Sequence, residues 1–143
     1  MSVTSKAQTT WHGDLMSGAG RTSVASGAFG EVDVTWQARS EGSVTTTTPE
    51  ELLAAAHASC YSMALSNALG KNGTPPARLD VTAAVTFVPG TGITTSEFTV
   101  LADVPGVSAD EFAAFAADAK DNCPVSQALK GVEISLGTVT LAS

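Results

Sequence analysis

Cys60 and Cys123 are the two cysteines of the chain and its strongest nucleophiles. The thiolate, not the thiol, is the reactive form, so their surroundings decide what they can do. Cys60 lies in Ala56-His57-Ala58-Ser59-Cys60-Tyr61-Ser62-Met63, a stretch with helical character. A free cysteine there can simply be a small buried hydrophobe. Cys123 lies in Asn122-Cys123-Pro124, just ahead of a turn with proline in first place. A thiol at a helix start meets unpaired N–H groups and the positive end of the dipole, which favour thiolate. It can equally be a cysteine filling an N-cap niche. As a pair they suit a peroxidatic and resolving couple: one thiolate becomes a sulfenic acid and the other captures it as a disulfide. Their spacing says nothing about contact.

A mid-helix thiolate needs a nearby cation, and cations are scarce. Arg39 follows the alternating run Glu31–Ala38 and falls in parity with Asp33, Thr35 and Gln37, so a surface role is open to it. Arg21 follows a glycine at a strand start and is the second candidate. Glu50 stands in the first turn of the next helix, where it suits the dipole or can hold an arginine through paired hydrogen bonds. On one straight helix Glu50 and Cys60 are about 15 Å apart, so a site using both points to a dimer interface. His57 is a helical neighbour of Cys60, which makes a cofactor-free Cys–His hydrolase conceivable. With His12 it also completes a two-Cys, two-His set, but no pair has finger spacing.

The elements that must position these residues are legible in outline. Ala7–Trp11 and Arg21–Ser26 read as strands. Val32, Val34 and Trp36 alternate with Asp33, Thr35 and Gln37, which predicts a third strand through Ala38 and a small antiparallel sheet. A polar linker, Glu41 to Thr48, leads to Thr48-Pro49-Glu50-Glu51, a capping box with proline at the first helical position. That helix is predicted to run to about Leu69 and to close at Gly70 or Gly73. It is apolar nearly all round, the mark of a central helix that one small domain can hardly wrap alone. Leu79–Val88 and Ile93–Val104 form a predicted hairpin around Pro89-Gly90-Thr91-Gly92. Ser108-Ala109-Asp110-Glu111 opens a helix to about Asp121, with Phe112, Phe115, Ala116 and Ala119 on one face. A short helical turn over Pro124–Leu129 and a strand over Gly131–Leu141 complete an α+β order.

The 143 residues fit a single domain, spanning residues 1–143. A net charge of −7 argues against nucleic acid and anionic membrane surfaces as partners. The uncharged run Leu52–Leu69 is rich in Ala and contains His57, Ser59, Ser62, Ser66 and Asn67, so it reads as a buried helix rather than a membrane span. The first residues lack an apolar signal core, which predicts a cytoplasmic protein.

Three blocks resemble the OsmC/Ohr family of thiol peroxidases, the osmotically inducible and organic hydroperoxide resistance proteins. They are Trp11-His12-Gly13-Asp14, Thr48-Pro49-Glu50-Glu51-Leu52-Leu53-Ala54-Ala55-Ala56-His57-Ala58-Ser59-Cys60, and Asn122-Cys123-Pro124-Val125-Ser126-Gln127-Ala128-Leu129. The Ala-Ala-His-Ala-x-Cys stretch and Arg39-Ser40-Glu41-Gly42 look more like the OsmC branch than the Ohr branch. The resemblance implies an OsmC-like fold: antiparallel sheets, two main helices and an intertwined homodimer clasping a long central helix. It implies Cys60 as peroxidatic cysteine, Cys123 as resolving cysteine, Arg39 as the activating arginine and Glu50 as its holder, with Arg21 in reserve. It further implies organic hydroperoxides as preferred substrates and hydrogen peroxide as a weaker one. The implied reductant is an external dithiol such as a lipoyl group, with no bound cofactor or metal. The alternative is a non-catalytic stress or binding protein on the same fold with inert thiols.

Overall fold

The structure is a computed structural model that describes residues Met1–Ala142. The chain forms two compact units, Met1–Leu52 and Leu53 onward. Each has its own three-stranded sheet.

In the first unit β1 (Ala7–His12), β2 (Ala19–Val24) and β3 (Val32–Val34) lie side by side in that order, antiparallel throughout. Thr9 and Thr22 pair across the β1–β2 ladder, with their hydroxyls 2.8 Å apart. The turn between the two strands is built by Asp14, whose Oδ1 accepts from the Ser17 N–H at 2.8 Å and hydroxyl at 2.9 Å. Gly20 is required where it stands, because a Cβ there would lie 2.7 Å from the Trp11 ring.

The predicted third strand ends early. Thr35 takes extended dihedrals (φ −140°, ψ 155°), its hydroxyl accepts from the Ala38 N–H, and α1 (Trp36–Glu41) follows. An N-cap threonine thus converts what looked like continued alternation into a helix. The parity argument for Arg39 falls with it: Arg39 is in the last turn of α1, not on a strand.

Helix α2 (Pro49–Lys71) starts and stops as its residues dictate. The Thr48 hydroxyl accepts from the Glu51 N–H at 3.0 Å. At the far end Thr74 N–H reaches Leu69 O and Gly73 N–H reaches Gly70 O, with Gly73 at φ +81°. These are the two bonds of a Schellman closure, which needs a residue tolerant of positive φ.

The second unit carries β4 (Arg78–Val88), β5 (Gly92–Asp103), α3 (Ala109–Asn122), α4 (Pro124–Ala128) and β6 (Glu133–Leu141). β4 and β5 form the expected antiparallel hairpin. β6 pairs parallel to β5, so this sheet is mixed rather than purely antiparallel as the resemblance implied. A parallel partner needs a crossover connection, and α3 with α4 supplies it. β5 is central and alternates cleanly: Ser96, Phe98, Val100 and Ala102 point inward and are buried. Onto that face α2 lays a stripe at intervals of four, Tyr61, Leu65 and Leu69, and α3 adds Phe112 and Ala119. Within the chain α2 buries this one stripe and leaves Ala55, Ala56, Ser59, Met63, Ser66 and Asn67 exposed.

Candidate active site

Cys123 sits at the hinge between two helices. It is the C-cap of α3, with its N–H bonded to Ala119 O, and at the same time the N-cap of α4. Its extended backbone (φ −60°, ψ 134°) leaves Pro124 free to open α4, where a missing N–H costs nothing. The sulfur plays the part an oxygen usually plays at such a position. It accepts from the Ser126 N–H at 3.4 Å and from the Ser126 hydroxyl at 3.5 Å. Cys123 is fully buried and Cys60 partly so, and the two are not bridged.

The structure brings the two cysteines near each other: Cys60 packs against the core cluster that contains Cys123, and each thiol influences the other's titration. Their environments differ. Burial pushes the Cys60 thiol up, and Cys123 adds to the rise, against a lowering contribution from the Val125 N–H. Burial also acts to raise Cys123. The hydroxyl and N–H of Ser126, the Cys60 thiol and the Val125 N–H together outweigh it and leave Cys123 below the ordinary thiol value. Within the second unit, therefore, Cys123 is the sulfur better prepared to carry negative charge.

Arg39 and Glu50, both in the first unit, form a close pair. Arg39 Nε and Nη2 donate to Glu50 Oε1 at 3.0 and 2.8 Å. The Glu50 side chain is nearly buried at 7% exposure while the arginine is at 32%, so the carboxylate is the anchor and the guanidinium the presented group. Arg21, the reserve candidate, lies on the surface with its Nε 3.3 Å from Glu31 and 3.5 Å from Asp33. Two facing carboxylates give it a local partner set and no thiol.

His57 does not serve Cys60. Its ring is fully buried, with Nδ1 2.7 Å from Ser96 Oγ and Nε2 2.8 Å from Ser126 Oγ. Both nitrogens are therefore occupied, which removes the Cys–His hydrolase reading. Burial lowers the His57 pKa below its ordinary value, so the ring is neutral at neutral pH. It leans on Phe98, with centroids 4.4 Å apart. The neighbouring Tyr61 stacks on the same ring and donates to Ala116 O at 3.0 Å. Its phenol is pushed far up by burial and then by the charge of Cys123. Ser96 and Ser126 are the residues that sequence reasoning missed. Ser126 is within the Cys123-Pro124-Val125-Ser126 turn, at the N3 position that an N-cap side chain normally reaches. Nothing local marks Ser96.

Among the described residues no helix is long and apolar enough to cross a membrane. Among those same residues no three His, Cys, Asp or Glu side chains gather to hold a metal ion.

Comparison with known proteins identifies the family of the chain. The OsmC-like protein family matches residues 25–137. The peroxiredoxin OsmC of Escherichia coli (strain K12) is 41% identical over 139 residues, covering 95% of this chain and 96% of that protein. Two solved structures share the fold. The OsmC-like protein from Mycoplasma pneumoniae superposes with a TM-score of 0.72 at 13% identity, over 99% of both chains. The organic hydroperoxide resistance protein OhrB of Bacillus subtilis does so with a TM-score of 0.66 at 22% identity, over 93% of this chain and 97% of its own. With a family match over most of its length and a peroxiredoxin relative 41% identical over 95% of the chain, the chain belongs to the OsmC-like family.

Proposed function

We propose that the protein reduces organic hydroperoxides to alcohols, and hydrogen peroxide more weakly, through Cys60 as peroxidatic and Cys123 as resolving cysteine. It is a cysteine-based peroxidase, and its peroxiredoxin relatives do not favour the inert-thiol alternative. The single observation that supports the residue assignment is the packing of Cys60 against the core cluster that holds Cys123, where the two thiols influence each other's titration.

The chemistry runs in two displacements. Cys60 thiolate attacks a peroxide oxygen; an S–O bond forms, the O–O bond breaks, and the alkoxide leaves and takes a proton as alcohol. Cys123 then attacks the sulfenic sulfur; the S–S bond forms and the oxygen leaves as water. A dithiol reductant such as a lipoyl group restores both thiols, and no bound cofactor or metal takes part. Because burial holds Cys60 up, the first step needs a cation. Arg39, held by Glu50, supplies it at the interface of a homodimer, where the exposed Met63 face of α2 meets its partner. We further propose a cytoplasmic location, where the reducing pool would return the disulfide to two thiols.

The test is intact mass after stoichiometric tert-butyl hydroperoxide, with alkylation before and after. Both alkylatable thiols disappear and the peptide map shows a Cys60–Cys123 disulfide. Cys60→Ser protein that still consumes peroxide, or two thiols that stay free after exposure, refutes the assignment.

A further inference from the structure

A buried file of hydrogen bonds ends on the sulfur of Cys123. It begins at Ser96 Oγ on the central strand β5, 2.7 Å from His57 Nδ1. It continues from His57 Nε2 to Ser126 Oγ at 2.8 Å, and from Ser126 to Cys123 Sγ. Ser96, His57 and Cys123 have no exposure, and Ser126 only 4%. Three separate elements converge to make it, across 39 and 69 positions of sequence.

Counting protons fixes how the file works. Ser126 has one hydroxyl hydrogen, and when that hydrogen points at the sulfur, Ser126 Oγ must accept from His57. Nε2 then carries the ring proton, and Nδ1 of the neutral ring accepts from Ser96. Every member is satisfied, and the file delivers a donor to a sulfur already receiving the Ser126 N–H. The opposite arrangement has Cys123 S–H donating to Ser126, Ser126 to Nε2, and Nδ1–H to Ser96. It is equally complete and suits the thiol. The ring tautomer is thus matched to the protonation state of Cys123. A neutral His57 serves this better than a charged one, which would have no acceptor arrangement to switch between.

We propose that His57 and Ser126 are positioning residues for the resolving step, holding Cys123 as a thiolate aimed at the oxidised sulfur of Cys60. The proposal rests on the peroxidase reading given above. In the step concerned, Cys123 sulfur bonds to Cys60 sulfur and the Cys60 S–O bond breaks. The proton given up by Cys123 and the departing hydroxide together make water. The oxidising equivalents come from the hydroperoxide that formed the sulfenic acid.

The experiment compares Ser126→Ala, Ser126→Thr and His57→Gln. In a Cys60→Ser background, thiolate absorbance is titrated to follow Cys123 alone. Ser126→Ala raises the Cys123 midpoint by about one pH unit, the scale of one hydrogen bond to a charged group. Ser126→Thr, which keeps the hydroxyl, restores it, and His57→Gln, which keeps a donor but cannot switch tautomer, falls between. In protein with both cysteines, dimedone trapping after a peroxide pulse shows about tenfold slower disulfide closure in Ser126→Ala and a matching build-up of sulfenic acid. An unmoved Cys123 midpoint overturns the proposal, and so does equal slowing of sulfenic acid formation and disulfide closure. If the unmutated chain forms no sulfenic acid, the peroxidase reading itself fails, while the Cys123 titration still decides whether the file sets that thiol.

Discussion

At the scale of single residues, the buried neutral His57 has a measurable cost in acid. Its folded pKa lies below the ordinary value of 6.5 because burial disfavours the cation. The unfolded chain therefore binds more protons below that pH, and stability falls as pH drops through 6.5 toward the folded pKa. The slope from this one group is at most about 1.4 kcal/mol per pH unit. Thermal unfolding is expected to show a falling midpoint between neutral and mildly acidic pH, and His57→Gln to flatten that part of the profile. A profile identical in the variant would show that another group is responsible. The sequence is informative at this scale where chemistry is local. Cys123 before Pro124 announces a helix start, and the sulfur does cap α4. It is silent on Ser96, because nothing near position 96 says that β5 will turn that hydroxyl toward a histidine 39 positions away.

Helix ends are where sequence and structure agree best among the elements, since capping depends on three or four adjacent residues. Ser108 and Glu111 form both arms of the expected box: Ser108 Oγ accepts from Glu111 N–H at 3.2 Å, and Glu111 Oε2 accepts from Ser108 N–H at 2.9 Å. Ser108→Ala is expected to cost about 1 kcal/mol. Denaturant unfolding checks this, with a lower midpoint at constant slope. The short helix α1 escapes a pattern reading for a physical reason. Six residues make fewer than two turns, too few for a helical period to stand out against the preceding alternation. The direction of β6 escapes it as well. Alternation records which face is buried, and parallel and antiparallel neighbours bury the same face.

For the whole molecule, the long apolar helix is the informative element. Its buried stripe of Tyr61, Leu65 and Leu69 belongs to the core, while Met63 on another face is 72% exposed. The composition already hinted at this surplus, with 43% hydrophobic residues against 15% charged. If the Met63 face is the dimer surface, Met63→Glu places a charge where the partner's apolar side chains would sit. Sedimentation is expected to show the variant shifted to monomer, with peroxidase activity falling in step because a site at that interface is lost. A Met63→Glu protein that stays dimeric and active would move the interface elsewhere.

One more consequence belongs to Cys123. Its sulfur is the bookend of two helices, accepting the Ser126 N–H that opens α4. A thiolate fills that place well, whereas a disulfide sulfur carries no charge and is a poor acceptor. Each round of oxidation would therefore slacken the first turn of α4, and each reduction would draw it tight again. The fold would itself lean toward the reduced form, and a disulfide at this position would be one the protein is already inclined to release.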